Sequence, residues 1–222
     1  RAQGIVGIAG WRLSPSTHPL SLNALFEARA RFAPFQAMPA AEKGRIASRI
    51  KAYIFERLYA TNPLWSGSRD VISAVIASRD NDDLTDVLHR IESLHQMKTD
   101  PRLAKSAKVI ERTANILKGA PVKPRNGVDP ALLKEALERQ LWELYSSRRG
   151  DIEALVQKKS YAEATTVYGE IFFMPLHEFF DKVLVNVEDE TVRRNRLALL
   201  HAINTLYTSR IADLSKLTIV QQ

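Results

Sequence analysis

The sequence contains no cysteine among its 222 residues. That excludes disulfides, thiolate catalysis and cysteine-ligated zinc. Nine glycines and ten prolines are too few for a collagen-like or linker-dominated chain. No apolar run approaches the ~18 residues that a membrane-spanning helix needs. The chain opens Arg-Ala-Gln with no initiating Met and no apolar signal core, so it reads as a fragment cut from a longer protein. Catalytic patterns are missing as well. The glycines are scattered, and none fits a phosphate-binding or dinucleotide-binding spacing. His18, His89, His95, His177 and His201 show no metal-ligand spacing. The nearest approach, His177-Glu178, lacks the second His of a zinc-protease helix. No Ser lies in a nucleophile-elbow context. Asp82-Asp83 and Asp189-Glu190 fall at expected helix starts, where the helix dipole accounts for them. No catalytic residue and no metal ligand is expected.

What the chain does have is a surplus of positive charge. Lys and Arg number 32 against 25 acids, a net of +7. Most of that surplus sits between Lys98 and Arg125, where eight bases (Lys98, Arg102, Lys105, Lys108, Arg112, Lys118, Lys123, Arg125) meet only Asp100 and Glu111. Such a block is a candidate nucleic-acid footprint, with a solvated helix face as the competing reading.

The periodicity is helical nearly throughout. Residues 1–9 look like the end of a helix, and 11–21, with Pro15 and Pro19, like a linker. A short helix is expected over 22–32, broken by Pro34 and Pro39. Further helices are expected over 41–59, striped by Ile46, Ile50, Tyr53, Ile54 and Leu58, over 70–78, and over 84–97. Pro101 opens a helix to Gly119 whose buried stripe is Leu103, Ala107, Ile110, Ala114 and Leu117. Arg102, Lys105, Lys108, Arg112 and Asn115 lie on another face of it. Residues 120–128 form the clearest loop. Asp129 and Pro130 then start a helix ended by Gly150, and Ser160 with Glu163 suggests a capping box for the next. That helix carries Phe172, Phe173, Leu176, Phe179 and Phe180, with Pro175 as a kink. Its aromatics fill a core or, beside a basic surface, stack on unpaired bases. The last helix runs from about 188–190 to Tyr207. Of its Arg193, Arg194 and Arg196, either at least one binds phosphate or one packs its stem and pairs with Glu188 or Asp189. No strand alternation and no repeat is evident. The fold class is all-α, in two units divided near 98–105.

Three segments then resemble a known family: Glu111–Lys118 (ERTANILK), Phe179–Glu190 (FFDKVLVNVEDE) and Arg193–Leu200 (RRNRLALL), with Ile211–Leu217 (IADLSKL) closing the chain. In order and spacing they resemble the C-terminal region of the β subunit of bacterial-type glycyl-tRNA synthetases. The resemblance is strong over 105–217. It is loose over 11–100, where Asp70–Ile76 (DVISAVI) carries it, and residues 1–10 look like the end of an HD-like domain. It implies a helical bundle: residues 1–100 as a smaller helical region, and 101–222 as a DALR-type anticodon-binding domain. It implies tRNA(Gly) and the synthetase α subunit, separate or fused, as partners. ATP and Mg would be used at the α-subunit site, with no cofactor in this fragment, no membrane, and a cytoplasmic setting, or an organelle in a eukaryote. On this reading Arg102, Lys105, Lys108, Arg112, Lys118, Arg193 and Arg194 are candidates for phosphate contacts. Asn115 and Asn186 are candidates for reading base edges. A helical protein–protein module with a basic docking face is the alternative.

Overall fold

A computed structural model describes residues 37–61, 67–78, 81 and 83–218. The expected helix over 22–32, the linker over 11–21 and the HD-like end lie outside the described residues. Among the described residues there are seven α-helices and no strand, which makes the fold all-α. They are α1 (Ala40–Thr61), α2 (Arg69–Ile76), α3 (Leu84–Gln96), α4 (Pro101–Gly119), α5 (Ala136–Gln157), α6 (Tyr161–Lys182) and α7 (Glu190–Thr208). Two 3₁₀ turns, Pro130–Leu132 and Leu214–Lys216, lie in the connections.

Local chemistry sets most helix starts. Asp83, Asp100 and Asp189 each accept a backbone N–H of the first turn of α3, α4 and α7. Pro101 occupies the first turn of α4, where its missing N–H removes no helical bond. The expected stripes are buried in α2 to α4 and in α7: Val71, Val75, Val87, Ile91, Leu94, Leu103, Ile110, Leu199, Leu200 and Ile203 all join one core. That core takes residues from both sides of position 100. The stripe of α1 behaves differently, since Ile50 and Tyr53 stand exposed.

Helices α4 and α6 run side by side in the same direction. Ser106 Oγ donates to the Thr165 carbonyl (2.6 Å), and further along Arg112 reaches His177 (2.7 Å). Gly169 makes this approach possible, because a Cβ there would lie 2.5 Å from Ser106 Oγ and 3.1 Å from Ser106 N. Helix α7 packs across both: Asn204 Nδ2 donates to Thr113 Oγ1 of α4 (2.9 Å), and Tyr168 of α6 donates to the Ile203 carbonyl (3.0 Å). Of the phenylalanines on α6, Phe172 and Phe179 are core, while Phe173 and Phe180 are partly covered.

Three local expectations are corrected. The helix expected from Pro130 is a single 3₁₀ turn, followed by a fresh start at Ala136. Arg139 holds the Leu133 and Lys134 carbonyls (2.8 and 3.0 Å) in the gap, and the Glu135 N–H donates to Glu138 (3.1 Å). Gly150 does not end α5. One interior glycine costs only about 1 kcal/mol, less than burying Ile152 and Val156 beyond it returns. The stop is Lys159, at φ 59°, where Ser160 N donates back to the Leu155 carbonyl (2.9 Å). Ser160 makes no side-chain cap to α6, because this tight link turns it out of the extended geometry that capping needs. Pro175 lies inside α6, which runs on to Lys182.

Candidate nucleic-acid interface

Helix α4 presents its cations along the edge that borders α6. Arg102 folds back on its own cap residue, with Nε 2.9 Å and Nη2 2.5 Å from Asp100 Oδ2. The Arg102 guanidinium holds the Asp100 carboxyl below the usual range. Lys108 pairs with Glu111 (2.9 Å). Arg112 contacts His177 and lies 3.8 Å from Asp181 of α6, with its guanidinium carbon 4.8 Å from the Phe180 ring centre. Three of the stripe's cations are therefore partly neutralised within the chain. Lys105, Asn115 and Lys118 are exposed and make no side-chain hydrogen bond or ion pair among the described residues. Exposed pairs such as Lys108–Glu111 are worth under ~1 kcal/mol, so a phosphate can compete for their cations.

A second group forms around the start of α7. Asn195, fully buried, accepts from Asp129 N (2.8 Å) and donates to the Asp129 carbonyl (3.0 Å). This clamps the loop 120–129 against α7, and Arg125 N donates to the Arg194 carbonyl (3.4 Å). Arg125, Arg194 and the exposed Lys123 are thereby gathered on one side. Arg194 pairs with Glu190 (2.7 Å) and Arg125 with Asp129 (3.3 Å), both at the surface. Arg193 is half-buried and donates to the Val187 carbonyl (3.1 Å). Asn186 is exposed in the connection between α6 and α7.

Arg196 is turned inward. It pairs with the fully buried Glu138 of α5 and donates to the Leu184 carbonyl (2.7 Å). Its acids are thus Glu138 and, at 3.9 Å, Glu135, not the Glu188 or Asp189 that the sequence suggests. Arg193 and Arg196 tie down the carbonyls of the loop 183–189, a role that spacing alone does not reveal. The role of Asn195 is hidden for the same reason: within the Arg-Arg-Asn-Arg run only the cations stand out. Among the described residues no cluster of acids and histidines could hold a metal ion, and no helix is long and apolar enough to cross a membrane.

No family model matches the chain. Curated relatives do. It is 36% identical over 149 residues to the glycine--tRNA ligase beta subunit of Syntrophus aciditrophicus, covering 67% of this chain and 21% of that one. It is 30% identical over 188 residues to that of Desulforudis audaxviator, covering 85% and 26%. It is 38% identical over 149 residues to that of Geotalea uraniireducens, covering 67% and 21%. The chain is similar to one stretch of the glycine--tRNA ligase beta subunit. It spans 21–26% of the length of these beta subunits. A match of 188 residues is longer than 105–217, so the likeness to the beta subunit reaches into the helices before α4.

Proposed function

We propose that this chain is the tRNA-binding end of a glycine–tRNA ligase β subunit. It holds tRNA(Gly) at the anticodon while an α subunit, separate or fused, supplies the site that uses ATP, Mg and glycine. The observation that carries this reading is the 30–38% identity to such β subunits over 67–85% of the chain. The surface chemistry supports it. An anticodon loop offers phosphates and splayed bases, and a helical bundle with exposed lysines and a few amides can meet both. Glycine offers almost nothing to recognise beyond its backbone groups, which places the burden of identity on the tRNA.

The test is binding of the chain to tRNA(Gly), to an anticodon-swapped tRNA and to an acidic protein control across a salt series. The expected result is tightest binding to tRNA(Gly), with affinity falling steeply as salt rises. Equal binding to the acidic protein would instead favour a protein-docking face. ATP–pyrophosphate exchange with glycine should stay at background for the chain alone.

A further inference from the structure

A cavity of about 250 Å³ lies between α5 and the end of α7, away from the α4 stripe. It is lined by Tyr145, Glu153, Val156, Thr205, Leu206, Ser209 and Arg210. It falls just below the ~300–1,000 Å³ of drug-sized sites, which suits a single flat ring system.

The polar lining is one-sided. Thr205 Oγ1 donates to the His201 carbonyl (2.7 Å), and Ser209 Oγ donates to the Thr205 carbonyl (2.6 Å). Both hydroxyl protons are spent on their own helix, so both oxygens face the cavity as acceptors only. Glu153 adds a carboxylate with no ion pair or hydrogen bond among the described residues. The cation is Arg210, exposed at the rim and equally without a carboxylate partner there. Arg149, also exposed, lies one turn from both Tyr145 and Glu153 on α5. Tyr145 supplies an aromatic wall and is itself stacked on Trp142 (5.5 Å between centres, 19° between planes).

A ligand that fits is flat, rich in N–H donors on one edge, and anionic at the other end. We infer that this cavity takes one unpaired nucleotide whose base carries an exocyclic amine, with guanine fitting best. The Glu153 carboxylate accepts the paired N–H groups of the guanine edge, Tyr145 stacks on the base, and Arg210 meets the phosphate. Uracil is rejected, because two carbonyls flank its single N–H and face the carboxylate. The inference rests on the RNA-binding reading above and names a base-reading site for it.

The experiment titrates the full chain with GMP and with UMP, following backbone amide shifts at Ser209 and Arg210 together with Trp fluorescence. GMP should bind about tenfold more tightly than UMP. Glu153→Gln should bring the two nearly level. Tyr145→Leu should weaken both while leaving the preference. Equal binding of GMP and UMP, no shift at Ser209 and Arg210, or an unchanged preference in the Glu153→Gln chain would overturn the site. The tRNA titration separates the two claims. Salt-dependent tRNA(Gly) binding without a GMP response sinks the cavity and spares the function, whereas a GMP response without tRNA binding does the reverse.

Discussion

Gly169 shows how one missing side chain can govern a helix pair. Replacing it with Ala would gain up to about 1 kcal/mol of helix propensity. Against that, the new Cβ would sit 2.5 Å from Ser106 Oγ and 3.1 Å from a backbone nitrogen. The hydroxyl cannot swing away freely, because it is bonded to the Thr165 carbonyl. Overpacking of this kind costs about 1–3 kcal/mol, so Gly169→Ala should lower the denaturation midpoint. A midpoint at or above that of the parent would mean α4 and α6 part without cost. Two tyrosines make a second residue-scale case. Burial pushes the Tyr168 and Tyr207 hydroxyls well above the ordinary value of 10, against a smaller lowering of Tyr207 by its bond to Thr165. Their folded values are raised, so their contribution to stability is whole below about pH 10 and is lost as the pH climbs beyond it. In an alkaline titration these two of the six tyrosines should ionise only as helical circular dichroism collapses. Ionisation of all six while the helices remain intact would contradict the burial.

Among the elements, α4 and α5 mark what the sequence makes legible. The limits of α4 can be read directly, since Asp100-Pro101 is a start signal and the apolar stripe persists to Leu117. The end of α5 cannot. Its stop is a lysine in the left-handed region, held there by the packing of α5 on α6 and by Lys159 reaching Asp83 and Asp86 (3.6 and 3.4 Å). The candidate site divides the same way. Exposure of Lys105 follows from its place opposite the buried stripe, and that of Lys118 from its place in the last turn of α4. The inward turn of Arg193 and Arg196 follows from carbonyls in 183–189 that need donors, and no local pattern announces those. This sorting sharpens the test of the stripe. Ala at Lys105, Lys118 and Lys123 should change stability by under ~0.5 kcal/mol each, as exposed substitutions do. Each lost phosphate contact should reduce the salt slope of tRNA binding by about 0.7–0.9. Arg112→Ala should also cost stability, because Arg112 lies over Phe180 and bridges α4 to α6. A folded triple variant with unchanged affinity and slope would show that these lysines are only solvated.

At the scale of the whole molecule, the last few described residues tie α2 and α3 into the core of the later helices. Arg90, almost wholly buried on α3, pairs with Asp86 (3.0 Å) and donates to the carbonyls of Arg210 and Ile211 (3.1 and 3.2 Å). Asp213 N donates to the Ala74 carbonyl (2.8 Å), and Thr218 N to Asp70 (3.1 Å). Ile211, Ala212 and Leu214 are buried over α2 and α4. Ending the chain at Arg210 would remove that apolar cover. It would also take the Ile211 carbonyl from Arg90 and the Asp213 N–H from the Ala74 carbonyl, while the new terminal carboxylate at Arg210 keeps the buried guanidinium paired. The truncated chain should therefore melt far earlier than the parent, and α2 and α3 should lose hydrogen-exchange protection first, because the segment bonds to them. Arg90→Met in the full chain supplies the control. It takes the guanidinium from Asp86, Ser78 and the Arg210 and Ile211 carbonyls but keeps the apolar cover of the segment, so it too should lower the melting point. If the truncated chain keeps its melting point and its protection in α2 and α3, the C-terminal segment is an appendage, and α2 and α3 are held to the rest by their own side chains alone.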